Sequence, residues 1–188
     1  ILGCIVNSKM NSCNWDNLQN LINEIRKKII NYEKVIDPFN LMALVDEPSL
    51  QRKVTELRVG SDHPVSDALP KIDNYLKRSK IRVGYFSADF REHPLAYLTA
   101  ELYELHDRDH FEIHAFSFGK DTNDNLNLRI KAGVDHFHNV DLMSHKEIAL
   151  LARSLEIDIA VDLTGFTAGA KTEVFALTAA PIQLIYIG

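Results

Sequence analysis

Apolar residues recur at three- and four-residue steps between Asn14 and Tyr32, where Trp15, Leu18, Leu21, Ile22, Ile25, Ile29 and Ile30 make one stripe. That spacing predicts an amphipathic helix. Pro38 breaks it, and Asp37 or Asn40 is placed to cap the next turn of helix. Pro48–Ser49–Leu50 opens a further helix that runs to Leu57. Residues 1–60 therefore read as a helical segment, and residues 61–79, polar and carrying Pro64 and Pro70, as a connector.

From Lys80 the rhythm changes to strand, helix, strand. Ile81–Phe86, Phe111–Phe118, Val134–Val140, Ile157–Leu163 and Ile182–Ile187 are apolar or alternating and read as strands. Pro94–Leu105, Asp124–Ala132, Ser144–Leu155 and Lys171–Leu177 read as helices, and Ser144 with Glu147 fits a capping box. Strands alternating with helices predict an α/β fold for residues 80–188, a Rossmann-like, doubly wound parallel sheet. Such sheets hold ligands at the carboxyl ends of their strands. Two exits carry chemistry there: Ser87–Pro94, after the first strand, and Thr164–Lys171, after the fourth.

Composition narrows the class. Over 188 residues, 46% hydrophobic and 25% charged content is that of an ordinary globular chain. A net charge of −5, from 21 basic and 26 acidic residues, offers no electrostatic footprint for nucleic acid. No apolar run is long enough to cross a bilayer, and Ile1–Val6 lacks the basic lead-in of a signal peptide. Cys4 and Cys13 match no metal or redox spacing, so free thiols in a reducing, cytoplasmic setting are expected. A start at Ile1 and an apolar strand reaching Gly188 suggest a fragment of a longer protein.

His93 follows a strand exit and precedes Pro94, which suits the first position of a helix. A neutral imidazole there can bond a substrate or accept a proton near pH 7; a loop histidine making a structural bond is the plainer alternative. Asp89, four residues earlier, is close enough to orient that ring or simply to cap the turn. Gly165 and Gly169 permit close backbone approach, and Thr167 and Lys171 add a hydroxyl and a cation. The stretch is neither a dinucleotide fingerprint nor a P-loop, so a tight connection with a solvated lysine is an equal reading. His136 and His138 share one face of a strand but lack an evident third ligand, so no metal is expected. His106, His110 and His114 fringe a turn and read as surface residues. Asp158 and Asp162 lie within a strand and do not make a metal-binding pair at its exit.

Several ordered blocks resemble the O-linked N-acetylglucosamine transferase family, including its plant Spindly-like and bacterial members. Cys13–Asn14–Trp15, Asp37–Pro38–Phe39 and Leu44–Val45–Asp46–Glu47–Pro48 resemble segments of its helical part. Ile81–Arg82–Val83–Gly84–Tyr85 through His93–Pro94 is similar to the start of its catalytic region. Gly165–Phe166–Thr167–Ala168–Gly169–Ala170–Lys171, Phe175–Ala176–Leu177 and Ala180–Pro181–Ile182–Gln183 are similar to the next signature.

The resemblance implies the N-terminal half of a GT-B glycosyltransferase, usually preceded by tetratricopeptide repeats, with the helical residues 1–60 as the linker after them. It implies an inverting transfer from UDP-N-acetylglucosamine to a Ser or Thr hydroxyl of a protein, without a metal or other cofactor. His93 would contact the reacting groups, Asp89 would hold it, Thr167 and Lys171 would shape the cleft wall, and Gly188 would begin a loop that approaches the donor sugar. The missing C-terminal half would be an obligatory partner, leaving the 188-residue chain inactive alone. Tyr97 stands where the family often has a second His, Lys171 where Arg is common, and Thr178–Ala179–Ala180–Pro181 where Arg-Pro-Ala-Pro is common. These departures leave the sugar open, since related members transfer fucose or glucose. A non-catalytic module that recruits protein partners through its N-terminal helices is the alternative.

Overall fold

The structure, a computed structural model, describes residues 2–72, 75, 78–167 and 169–187, and the chain divides into two compact units, Ile1–Pro64 and Val65–Gly188.

The first unit is helical: α1 (Leu2–Asn11), α2 (Leu18–Ile30), α3 (Pro38–Met42) and α4 (Pro48–Asp62). The apolar stripe of α2 turns Ile22, Ile25 and Ile29 inward against Val6, Ile36, Leu41, Val45, Leu50 and Val54. α2 starts later than its stripe predicts because Cys13 and Asn17 adopt left-handed φ values of 51° and 56°. The Asn14 side chain closes this turn by accepting from Asp16 N at 3.0 Å, and Trp15 stays exposed. Asp37 caps α3 by accepting from Phe39 N at 3.1 Å, with Pro38 supplying the preset φ of the first turn.

The second unit is a five-stranded, wholly parallel sheet: β1 (Ile81–Ser87), β2 (Phe111–Ser117), β3 (His136–Asn139), β4 (Ile159–Asp162) and β5 (Ile182–Ile185). Helices α5 (Pro94–Leu105), α6 (Asn125–Gly133), α7 (His145–Ser154) and α8 (Thr172–Ala176) link them. The spatial order β3-β2-β1-β4-β5 is that of a doubly wound sheet whose direction of winding reverses between β1 and β4. Period-two alternation splits the core. Val83, Tyr85, Ile113, Ala115 and Val161 pack with α5 and α6 on one face. Phe86, Phe116 and Ala160 pack with Ile148, Ala149 and Ala152 of α7 on the other.

The sheet's ends differ. Every residue of β5 is exposed, including Ile182, Leu184 and Ile185. Behind β4, Arg153 donates to the carbonyls of Leu177 (2.7 Å), Thr178 (2.8 Å) and Pro70 (2.6 Å), drawing together the end of α8 and the segment before β1. Among the described residues, no helix is long and apolar enough to cross a membrane.

Candidate active site

Ser87 ends β1, and the exits of its two neighbouring strands, β2 and β4, close on Ser87 and Ala88. Phe118 N donates to Ser87 O at 3.0 Å, and Ala88 N approaches Thr164 Oγ1 at 3.4 Å. The approach is so close that a Cβ on Gly119 would lie 2.0 Å from the Ala88 carbonyl oxygen, and Gly169, at φ +84°, has room for a Cβ only 3.1 Å from Ala88 Cβ. The loops after β1, β2 and β4 are thus locked together at the carboxyl edge, beside the point where the winding reverses. This is where an open α/β sheet offers a crevice.

The first of these loops carries Asp89 and His93. Asp89 is buried, and its amide donates to Ser87 Oγ at 2.9 Å. Its carboxylate accepts from Arg91 Nη2 at 2.9 Å. His93 lies farther off, with Nδ1 3.8 Å from Asp89 Oδ2. That nitrogen instead accepts from Leu95 N at 3.3 Å, which makes His93 the N-cap of α5. The two residues come together, but the carboxylate pairs with Arg91 and the imidazole with the helix. Because Nδ1 accepts, the neutral ring carries its proton on Nε2 and presents a donor there.

Two residues that the sequence reading did not single out fix this loop. Asn127, fully buried in α6, donates from Nδ2 to Phe90 O at 2.6 Å. Asp124 caps α6 by accepting from Asn127 N at 2.8 Å and also accepts from Glu92 N at 2.9 Å. The cap itself was legible as an Asp before a helical stretch, but its bond to Glu92 joins residues far apart in sequence.

On the β4 exit, Asp162 accepts from Thr164 N (2.9 Å) and Gly165 N (3.1 Å), shaping a turn in which Gly165 has φ 56°. Burial pushes the Asp162 carboxyl up, and those two bonds partly hold it down. Thr167 is exposed, with Oγ1 donating to Thr164 O at 2.7 Å. Lys171 is not a solvated lysine: its Nζ donates to Met143 O at 3.0 Å and lies 3.4 Å from Asp141 O, and burial lowers its pKa. It braces the loop between β3 and α7. α8 has only five residues, Thr172–Ala176. Gly188 lies outside the described residues. Asp158 is engaged at the other end of β4 by Arg78 and by Arg82 N, each at 2.8 Å.

The position of His114 departs from the sequence-based expectation. It is buried (2% exposed), not a surface residue, because β3 pairs alongside β2 and lays His136 and His138 over the same face. His114 Nδ1 meets His138 Nε2 at 3.1 Å and His114 Nε2 meets Glu112 Oε1 at 2.9 Å. Burial lowers the pKa of His114, and burial with the neighbouring imidazoles pushes His138 down to about 4.

Comparisons with known proteins agree with this architecture. The sequence profile of Glycosyl transferase family 41 matches residues 66–188. A probable UDP-N-acetylglucosamine–peptide N-acetylglucosaminyltransferase, SEC of Arabidopsis thaliana, is 36% identical over 109 residues, 58% of this chain and 11% of that protein. A UDP-N-acetylglucosamine–peptide N-acetylglucosaminyltransferase of Caenorhabditis elegans is 35% identical over 115 residues, 58% of this chain and 10% of that one. Among solved structures, a mutant O-GlcNAc transferase of Thermobaculum terrenum superposes with a TM-score of 0.64 at 24% identity, covering 89% of this chain and 29% of that one. The fold is that of the O-GlcNAc transferase structure it superposes on, and the family match covers both strand-exit loops. The chain belongs to glycosyl transferase family 41. It spans about a tenth of the length of these curated relatives.

Proposed function

We propose that this chain is part of a nucleotide-sugar-dependent protein O-glycosyltransferase that moves N-acetylglucosamine from UDP-N-acetylglucosamine to Ser or Thr hydroxyls. The observation that carries this reading is the family match over residues 66–188, the stretch that contains both strand-exit loops. In an inverting transfer the acceptor oxygen attacks the anomeric carbon as the bond to the diphosphate breaks. The hydroxyl proton leaves to a base or to solvent, and UDP departs.

Within that reaction His93 suits a hydrogen-bond donor better than a base. Its Nδ1 lone pair is taken by Leu95 N, so Nε2–H is the group it offers to a sugar or phosphate oxygen. Asp89 and Arg91 act as a pair that shapes the loop, while Thr167 lines the wall and Lys171 braces it from behind. Gly188 would begin the sequence that approaches the donor. No cofactor or metal takes part in the transfer, and a cytoplasmic location fits the free thiols of Cys4 and Cys13.

The remaining half of a GT-B fold is the partner this site requires, and the 188-residue chain alone does not turn over. A second reading, a non-catalytic module for protein partners, is favoured by the exposed Trp15, Ile30, Phe39 and Met42 of the helical unit.

The test is donor binding and transfer by the longer gene product with UDP-N-acetylglucosamine, UDP-glucose and GDP-fucose. Transfer from the first that collapses in His93→Ala supports the assignment; selective transfer from another donor changes the sugar. A folded protein that binds none of the three moves the function to the interaction module.

A further inference from the structure

The outer part of one sheet face, away from the carboxyl-edge site, carries a cluster of imidazoles around a carboxylate. The parallel register sets Arg82 beside Glu112, Gly84 beside His114 and His136, and Phe86 beside Phe116 and His138. Alternation then turns Glu112, His114, His136 and His138 to the same side. Glu112 Oε1 lies 2.9 Å from His114 Nε2 and 3.4 Å from His136 Nε2, and these three donor atoms all fall within 4.8 Å of one another. A tetrahedral ion bound at about 2.0–2.2 Å needs donors spaced about 3.3–3.6 Å apart. The Glu112–His136 spacing meets this already, the Glu112–His114 spacing is shorter, and rotation of the half-exposed His136 side chain brings the third pair, now within 4.8 Å, to it.

We propose that Glu112, His114 and His136 form a divalent-metal site of the zinc type, which clips the edge strand β3 to β2. The donor set of two imidazoles and one carboxylate suits zinc and its first-row neighbours, and would leave a fourth position to water. His136, with half its side chain exposed, gives the ion an entry. The buried His114 supplies the fixed wall.

The surroundings of the ligands fit the same role. His114 now donates from Nε2 to Glu112 and accepts at Nδ1 from His138 Nε2. With a metal on Nε2 the proton moves to Nδ1, and the bond to His138 persists with its direction reversed. A ligand imidazole that donates its second N–H to an outer partner is how protein metal sites orient their histidines. The His138 ring stacks on Phe116 (centroids 4.8 Å apart), which holds that partner in place. Arg82 Nε, 3.3 Å from Glu112 Oε1, competes for the carboxylate and tempers the affinity. Glu112 is the second residue of β2 and His136 the first of β3, so the cluster lies toward the amino ends of the strands. The site thus does not depend on the proposed sugar transfer.

The test uses the tag-free 188-residue chain carrying Cys4→Ser and Cys13→Ser, so that thiolates cannot capture the metal. Zinc is titrated against a chromophoric chelator, and the thermal midpoint is read with and without zinc. Expected are one zinc ion per chain and a raised midpoint, with affinity at least about tenfold weaker and the midpoint rise gone in His136→Ala and in Glu112→Gln. Circular dichroism confirms that each variant is folded, and if one unfolds, the other decides. Absence of saturable one-to-one binding overturns the proposal, as does unchanged affinity in the folded variants.

Discussion

His93 and Leu95 are joined by a 3.3 Å hydrogen bond from the backbone amide to the imidazole, so a residue at the candidate site also starts helix α5. The two roles are separable. Asn can accept the same amide but has no Nε2–H in the imidazole's place. His93→Asn should therefore keep the stability of the fold within about 0.5 kcal/mol, whereas His93→Ala should lose about 1 kcal/mol. Urea unfolding of the 188-residue chain measures both. Both variants should lose sugar transfer in the longer protein. A stable, active His93→Asn would leave the imidazole with a capping role only.

Asn127 holds the same loop from below through its 2.6 Å bond to Phe90 O. Asn127→Ala strands a buried carbonyl and should destabilise by about 1–3 kcal/mol. Hydrogen exchange should quicken for the amides of residues 89–93 before it does for those of β2. Uniform loosening across the sheet would argue against a local anchor.

Two glycines offer a contrast of sign. A Cβ on Gly119 meets the Ala88 carbonyl at 2.0 Å, so Gly119→Ala should destabilise by about 1–3 kcal/mol or displace the end of β1. Gly60, inside α4, has nothing within 4 Å of its would-be Cβ. Gly60→Ala should stabilise the helical unit by about 0.5–1 kcal/mol. Denaturant midpoints for the two variants should move in opposite directions.

Acid should weaken the sheet unit partly through His106, which shares a 2.8 Å hydrogen bond with Tyr85. Burial, then the charge of Arg108, lowers the pKa of His106 from its ordinary 6.5. A depressed folded value means that the contribution is whole above the unfolded pKa and is lost as pH falls through the folded one. The urea midpoint should thus drop as pH falls below about 6.5, and His106→Gln should reduce that drop. An identical pH slope in the variant would assign the acid sensitivity elsewhere.

Much of the fold was legible because its signals are local. Pro94 and the apolar spacing set α5 at Pro94–Leu105, and the capping box of Ser144 and Glu147 is present as read. The continuous apolar run around Ile159–Asp162 marked a strand paired on both sides, as β4 is with β1 and β5. The site was less legible because its partners are set by tertiary pairing. Spacing put Asp89 near His93, but could not show that Arg91 takes the carboxylate. Spacing left Lys171 open between the cleft wall and solvent, because the carbonyls it bonds lie on another loop. His114 read as exposed because its cover comes from β3.

The exposed edge of β5 bears on how the molecule behaves in the tube. Ile182, Leu184 and Ile185 stand uncovered on the last strand of the sheet, followed by exposed Tyr186 and Ile187, with no charge or proline among them. Natural sheets guard such edges with those residues, because an unguarded strand is a template on which another chain can add. Handled alone, the chain should therefore lose solubility steeply with concentration, and Ile185→Lys should restore it.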